Sequence, residues 1–221
     1  MANAVVYYAD ANLGLYGDEK LIRESELVDK KFFHTKCPVW NHKANRTFLV
    51  FSPIDCEIII DRENNQIKVK DEKYLFFDQN HINSPHPILQ LTFPKFLFWT
   101  EESDIWINFE DHSMTSLNNN FTFVGGWFNL SNWYRATSLG MIVIDEKKSI
   151  SIKKGDPLFR ISFLSPNLDN GIILKRITDH EKIEEMLKIY DYRESKKVNW
   201  KKKLFSKTGI KTCPFKFLYD K

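Results

Sequence analysis

The chain has 221 residues, of which 43% are hydrophobic and 28% are charged, and its formal net charge is +3. This composition is typical of a folded globular protein and excludes low-complexity and collagen-like chains. No apolar run is long enough to cross a membrane, and the acidic first residues do not form a secretory signal, so we expect a cytoplasmic protein without a membrane partner.

Residues 1–46 have no clear period, apart from a short helix predicted within residues 18–33, and we expect them to form an N-terminal arm. Strands begin at Thr47. Apolar residues in 57–60 and 67–69 flank the polar residues 61–65, which predicts a β-hairpin with a longer loop.

Two glycine-containing segments predict changes of chain direction. Gly125-Gly126 separates two short β runs, which indicates a turn or bulge. "ISIKKGDPLFRISF", residues 150–163, alternates between apolar and polar residues on both sides of Gly155 and Pro157. We expect Gly155 to adopt a turn conformation that other residues resist, and Pro157 to start the second strand, where its missing N–H is harmless.

The C-terminal part combines a helix with a basic tail. Thr178-Asp179 can cap a helix in which Ile183 and Met186 lie on one face. Residues 196–221 contain nine lysines and a single acid, a local charge of +8, which leaves −5 for residues 1–195. The whole pattern predicts a mainly β fold in three parts: an N-terminal arm (1–46), a β-rich body (47–176) and a C-terminal α-helix with the basic tail (177–221).

Standard catalytic and metal-binding motifs are missing. The sequence has no G-x-S-x-G elbow and no P-loop, and its six histidines lack the spacing of a metal site. The cysteines, Cys37, Cys56 and Cys213, include no Cys-x-x-Cys pair and predict free thiols. We therefore assign no catalytic residue, no metal ligand and no cofactor.

One candidate ligand site is Trp133, Tyr134 and Arg135. An aromatic wall with a guanidinium can hold a planar or phosphorylated ligand, although the same residues can also simply close the end of a sheet.

The basic tail is the other candidate, at Trp200, Lys201, Lys202 and Lys203. Lysines can pair with the phosphates of a nucleic acid, or with an acidic partner, while aromatic side chains stack on bases. Alternatively, the segment is a docked helix end whose basic face is solvated.

Two resemblances follow from these residues. The segment 133–164, with Tyr134, Arg135 and Gly155-Asp156, resembles the trailing strands of the dUTP pyrophosphatase and dCTP deaminase β-clip fold. This chain departs from that pattern, because Pro157 replaces an arginine, Phe159-Arg160 replaces Ala-Gln, and no Pro-Arg-Ser-Gly motif precedes them. The body is accordingly expected to be β-clip-like, or a small barrel or sandwich.

The layout of residues 90–165 also resembles a family of uncharacterised proteins of T4-like marine phages and bacteria. The matching stretches are "FPKFLFWTEESDIWINF", "FVGGWFNLSNWYR" and "ISIKKGDPLFRISF". This resemblance implies a phage-type, non-catalytic virion component or accessory macromolecule-binding factor in the host cytoplasm or the virion. Its partners would be virion or host proteins or, through the tail, nucleic acid, and it is compatible with an oligomer. The alternative is a nucleotide-binding or nucleotide-hydrolysing enzyme related to the β-clip.

Overall fold

The computed structural model describes residues 3–15, 21–29, 31–64, 66–70, 77–81, 87–91, 94–112, 120–132, 135–136, 139–166 and 171–190. The chain divides into two units, Met1–Thr178 and Asp179–Lys221. The strands belong to the first unit, and the second contains a helix over residues 180–190. The predicted mainly β fold with a C-terminal helix is therefore confirmed.

The N-terminal strand belongs to a four-stranded sheet. Its strands are β1 (Ala4–Asp10), β8 (Phe96–Trp99), β12 (Arg135–Ala136) and β16 (Ile172–Arg176). Their order is β12-β8-β1-β16, with β1 parallel to β16 and antiparallel to β8. β1 is thus an inner strand, and its Val6 and Ala9 are fully buried. The segment expected to form an arm supplies part of this sheet.

A five-stranded antiparallel sheet carries the residues that matter most below. Its strands are β2 (Leu21–Arg23), β3 (Thr47–Phe51), β9 (Trp106–Asp111), β11 (Gly126–Asn129) and β15 (Pro157–Leu164). The order is β11-β9-β15-β3-β2, so β15 is the central strand. Residues on one face of β15 alternate with residues on the other, as the two-residue period of a strand requires.

Two smaller sheets complete the first unit. The first consists of β4 (Cys56–Asp61), β5 (Gln66–Lys70) and β14 (Ile150–Ile152) in the order β14-β4-β5. The second consists of β6 (Phe77–His81), β7 (Ile88–Leu91), β10 (Phe121–Phe123) and β13 (Leu139–Val143) in the order β10-β13-β7-β6. Antiparallel pairing of β4 with β5 confirms the predicted hairpin.

Three helices and one turn of 3-10 helix lie in the described residues. They are α1 (Glu24–Leu27), the 3-10 turn (Phe33–Lys36), α2 (Pro38–Ala44) and α3 over residues 180–190. α1 falls within the predicted segment 18–33. The carboxylate of Asp179 accepts the N–H of Glu181 at 3.0 Å and of Lys182 at 3.4 Å, so the predicted cap of α3 is confirmed. No helix in these ranges is long and apolar enough to cross a membrane.

The core of the first unit is rich in phenylalanine, and β15 lies at its centre. Phe163 is fully buried and makes edge-to-face contacts with Phe98 and Phe48, both at 5.9 Å between ring centroids. Phe159 contacts Phe123 in the same geometry at 5.5 Å. The side chains on one face of β15 therefore join the five-stranded sheet to both four-stranded sheets.

The two glycine segments are where the chain passes between sheets. β14 ends at Ile152 in one sheet, and β15 begins at Pro157 in another. Between them Gly155 has φ +88°, in the left-handed region that favours glycine, and its N–H donates to the carbonyl of Ser52 at 2.8 Å. Both expectations for this corner are confirmed. Gly125 likewise lies between β10 and β11, which belong to different sheets.

Candidate functional site

The outer face of the five-stranded sheet is the face opposite the phenylalanine core. Because side chains alternate along a strand, β9 presents Trp106, Asn108 and Glu110 on this face, while Ile107 and Phe109 enter the core. On β15, Ser162 and Leu164 share the face, opposite Asn108 and Trp106 of β9. A polar end and an aromatic end of the face therefore lie next to each other.

A polar cluster occupies one end of this face. It consists of Lys43, Thr47, Asn108, Glu110 and Ser162. The Glu110 carboxylate accepts hydrogen bonds from Asn108 Nδ2 at 2.9 Å and Ser162 Oγ at 3.2 Å, and Lys43 Nζ lies 3.3 Å from its other oxygen. The hydroxyls of Thr47 and Ser162 are 3.0 Å apart. Every acceptor oxygen of Glu110 is thus engaged within the cluster.

The surroundings of Glu110 favour its charged form. Burial opposes ionisation, but the charge of Lys43 and three donated hydrogen bonds outweigh it. As a result the pKa of this carboxyl lies below its ordinary value of 4.5. A carboxylate that stays ionised and is fully hydrogen-bonded is a structural anion, and it is a poor general acid.

Arg160 carries a positive charge beside this cluster, and His112 is close enough to sense that charge. Arg160 lies beside Glu110 in the register of β15 and β9, and its guanidinium is 3.4 Å from the Glu24 carboxylate. Burial lowers the pKa of His112 below its ordinary value of 6.5, and the charge of Arg160 lowers it further. The carboxylates of Glu24 and Asp111 act in the opposite direction without cancelling the effect. His112 is consequently neutral at physiological pH.

These two pKa shifts predict a stability that falls in acid. Both groups have lower pKa values in the folded protein than in the unfolded chain. Between its unfolded and its folded pKa, each group therefore binds more protons in the unfolded chain. The stability that the group contributes is lost as the pH falls through this range. We expect the melting temperature to drop first below the ordinary pKa of 6.5 for His112, and again below the 4.5 of Glu110.

Melting curves recorded from about pH 8 to about pH 4 test this expectation. His112→Gln should remove the first drop in melting temperature, the one expected below pH 6.5. The matched variant His180→Gln, which changes an exposed residue of α3, should retain this drop. If the first drop in melting temperature persisted unchanged in His112→Gln, another group would be responsible for it.

An exposed aromatic patch occupies the other end of the outer face. This tryptophan patch consists of Trp106, Trp127 and Leu164, which are 40%, 48% and 38% exposed. Leu164 lies directly opposite Trp106 on one side. On the other side Trp127 pairs with Asn108, which makes it a diagonal neighbour of Trp106. Such neighbours lie roughly 7–8 Å apart, so the three side chains are close enough for one partner to contact them together.

Asp104 fixes the orientation of Trp106. Its carboxylate oxygen Oδ1 accepts the indole N–H of Trp106 at 2.9 Å and the amide of Asn129 at 3.0 Å. Asp104 has φ +59°, a left-handed conformation that aspartate tolerates better than most residues. Because Nε1 is the only donor of an indole, the Trp106 side chain presents an apolar and aromatic surface to a partner.

The loop before Trp106 makes the patch acidic. Glu101, Glu102 and Asp104 are exposed and immediately precede β9. On the same face, Lys43 and Arg160 are already engaged by Glu110 and Glu24. Among the described residues, the loop that leads into Trp106 is therefore negative, and the two cations of the face named here are paired with carboxylates.

A separate open cleft of about 350 Å³ lies between the β4–β5 hairpin and residues 146–149. Arg62 is paired with Glu146, and Lys68 Nζ is 2.7 Å from Asp61. Hydrogen bonds from Lys68 and Asn64 lower the pKa of Asp61 to about 2. These ion pairs are at the surface and contribute little to stability. The lining also includes Glu63, Lys147 and Lys148, so charges of both signs face the cleft.

Most of the candidate residues chosen from sequence are not described by the structure. Trp133 and Tyr134 lie outside the described residues, and so do Trp200 and Lys201, Lys202 and Lys203. Arg135 begins β12 and its backbone pairs with Phe98. Its side chain is not among those that the structure describes. Those assignments stay predictions. Within the described ranges, no group of three or more His, Cys, Asp or Glu side chains is arranged to hold a metal ion.

The sequence contained a signal for the tryptophan patch that the motif search passed over. In "WINFED" the alternation places Trp106 on the same face as Asn108 and Glu110. A single exposed aromatic residue is common, but Trp127 in the short β run 126–129 is a second one, and contiguous apolar residues mark a contact surface.

Comparison with known proteins gives only weak structural similarities. No protein-family model matches the chain, and no curated protein matches it. Solved structures similar to it include a mutant dUTPase from phage phi11 of Staphylococcus aureus, with TM-score 0.32 and 9% identity over 70% of this chain and 96% of that one.

Two mutant dUTPases from Staphylococcus bacteriophage 80alpha give the same TM-score of 0.32 at 10% identity. They cover 69% of this chain and 86% and 94% of their own, and the first was solved with dUpNHpp. These are proteins of the group that residues 133–164 resemble. A likeness at this level does not establish membership of that group or its activity for this chain.

Proposed function

We propose that this chain is a non-catalytic binding protein whose tryptophan patch docks another protein. The observation that carries the proposal is the pair of exposed indoles, Trp106 and Trp127, on adjacent hydrogen-bonded strands. Tryptophan is enriched at protein–protein interfaces and at their energetic hot spots. Strands in a sheet also hold such side chains in fixed positions, which reduces the entropy lost on binding.

The titratable residues beside the patch support binding rather than catalysis. Glu110 is ionised and fully hydrogen-bonded, and Lys43 serves as its counter-ion. Arg160 is engaged by Glu24. A general acid–base pair needs groups poised to exchange protons with a ligand, and these groups instead hold one another.

The phage resemblance of the sequence suggests two roles for such a protein, a virion component or an accessory factor that acts on host or phage proteins. Mass spectrometry of purified particles separates them, because a virion component is present in the particles and an accessory factor is not. Contact of the basic tail with nucleic acid stays a separate prediction. A salt-dependent DNA affinity that Lys201→Gln, Lys202→Gln and Lys203→Gln together abolish would establish it.

Nucleotides provide the direct test against the enzyme alternative. We expect dUTP and dCTP, with and without magnesium, to leave the melting temperature unchanged and to remain intact during incubation with the protein. A ligand that binds the native state alone raises its apparent stability, so even modest affinity is visible as a shift. A clear shift, or release of pyrophosphate, would replace this proposal by the nucleotide-hydrolase alternative.

A further inference from the structure

The partner of the tryptophan patch can be specified more closely, on the basis of the proposed function. We infer that it is a basic protein segment that presents arginine and apolar side chains on the same face. The arginine guanidinium groups would stack on the exposed indoles and face the acidic loop formed by Glu101, Glu102 and Asp104. The apolar side chains would cover Leu164.

The shape of the patch fits an extended segment. Leu164, Trp106 and Trp127 lie on three neighbouring strands, so the apolar surface runs across the sheet rather than along one strand. Trp106 is at the centre, with its indole N–H already bound to Asp104. A guanidinium is planar and weakly hydrated, and it stacks on an indole more favourably than the ammonium of lysine does.

The charge near the patch selects the sign of the partner. Glu101 and Glu102 are exposed, and two cations of the outer face, Lys43 and Arg160, are paired with the carboxylates of Glu110 and Glu24. A basic segment would therefore gain electrostatic attraction in addition to apolar contact. This combination points to arginine rather than to a purely apolar occupant.

The negative charge of the acidic loop disfavours two other partners that could bind an exposed aromatic face, a nucleic acid and a second copy of the chain. A nucleic acid could stack its bases on the indoles, but its phosphates would be repelled by Glu101 and Glu102. In a symmetric dimer each patch would face its own copy, so the acidic loops would approach each other and destabilise the pair. Neither a nucleic acid nor a second copy of the chain is complementary to both the exposed indoles and the carboxylates of the acidic loop.

Fluorescence anisotropy with a labelled peptide of about twelve residues tests the inference. In this peptide every second residue is arginine or leucine and the residues between them are serine, so that arginine and leucine share one face of the extended chain. We expect the peptide to bind the full chain and to dissociate as salt rises from about 50 mM to about 500 mM. Trp106→Ala and Trp127→Ala should each weaken binding about tenfold or more. The double variant Glu101→Gln, Glu102→Gln should also weaken it and flatten the salt dependence.

Matched controls separate the patch from general stickiness. Ile144→Ala removes an exposed apolar side chain on another part of the first unit, and Glu63→Gln with Glu181→Gln removes two exposed acids elsewhere; both should leave binding unchanged. The lysine version of the peptide should bind more weakly than the arginine version. Circular dichroism and melting temperature confirm that each variant is folded.

Several results would overturn the inference. Equal binding of a glutamate–leucine peptide would mean that charge plays no part, and no binding of the arginine peptide would mean that the patch does not recognise it. A dimer that Trp127→Ala dissolves would assign the patch to a second copy of the chain. None of these results bears on catalysis, since the nucleotide measurements decide that question independently.

Discussion

Replacing Phe163 by alanine should lower the free energy of unfolding by about 3–5 kcal/mol, the cost typical of removing a fully buried phenylalanine. Phe163 is 0% exposed and makes edge-to-face contacts with Phe98 on one sheet and Phe48 on its own. The substitution removes both contacts and leaves a cavity where the sheets meet. Urea unfolding followed by tryptophan fluorescence measures the loss.

The next residue along β15 supplies the control. Leu164 points to the outer face and is 38% exposed, so Leu164→Ala should change stability by less than about 1 kcal/mol. It should nevertheless weaken the arginine peptide, because Leu164 belongs to the tryptophan patch. Equal stability losses for the two variants would contradict the placement of Phe163 in the core and Leu164 on the surface.

Local signals in the sequence predicted the elements that depend on local physics. The polar residues 61–65 between two apolar runs predicted the β4–β5 hairpin, and Asp179 at the start of an amphipathic segment predicted the cap of α3. The break at Gly155 and Pro157 predicted the corner before β15. In each case the responsible interactions lie within a few residues of one another.

β1 is an element that local sequence patterns could not predict. "AVVYYAD" has apolar residues on both faces, and each of its residues is buried or half-buried. β1 is also an inner strand, paired with β8 and β16. Without alternation, a short apolar run cannot be assigned to a strand by its period alone. Its partner β16 is far away in sequence, so the pairing that places β1 inside a sheet follows from tertiary contacts.

The candidate site was difficult for the same reason. Glu110, Ser162 and Lys43 come from three separate segments, and only the register of β15 with β3 and β9 brings them together. The sequence search favoured clusters that are contiguous in the chain, such as Trp133, Tyr134 and Arg135. The exposure of Trp106 and Trp127 depends on which face of the sheet meets the core, and that is decided by the rest of the fold.

Gly125→Ala should destabilise the protein by about 1–3 kcal/mol, because it overpacks a site where two backbones meet. A Cβ at Gly125 would lie 2.3 Å from the carbonyl oxygen of Phe109, and this neighbour is backbone that cannot rotate away. The clash would push β11 away from β9.

Gly126→Ala is the matched control, since its Cβ would meet nothing within 4 Å, and it should change stability by less than about 1 kcal/mol. Because Trp127 follows on β11, Gly125→Ala should also weaken the arginine peptide even at temperatures where the variant is folded. Gly126→Ala should leave that affinity near the unmodified value. If the two variants behaved alike in urea unfolding and in peptide binding, the close approach of Gly125 to Phe109 would not be what positions Trp127.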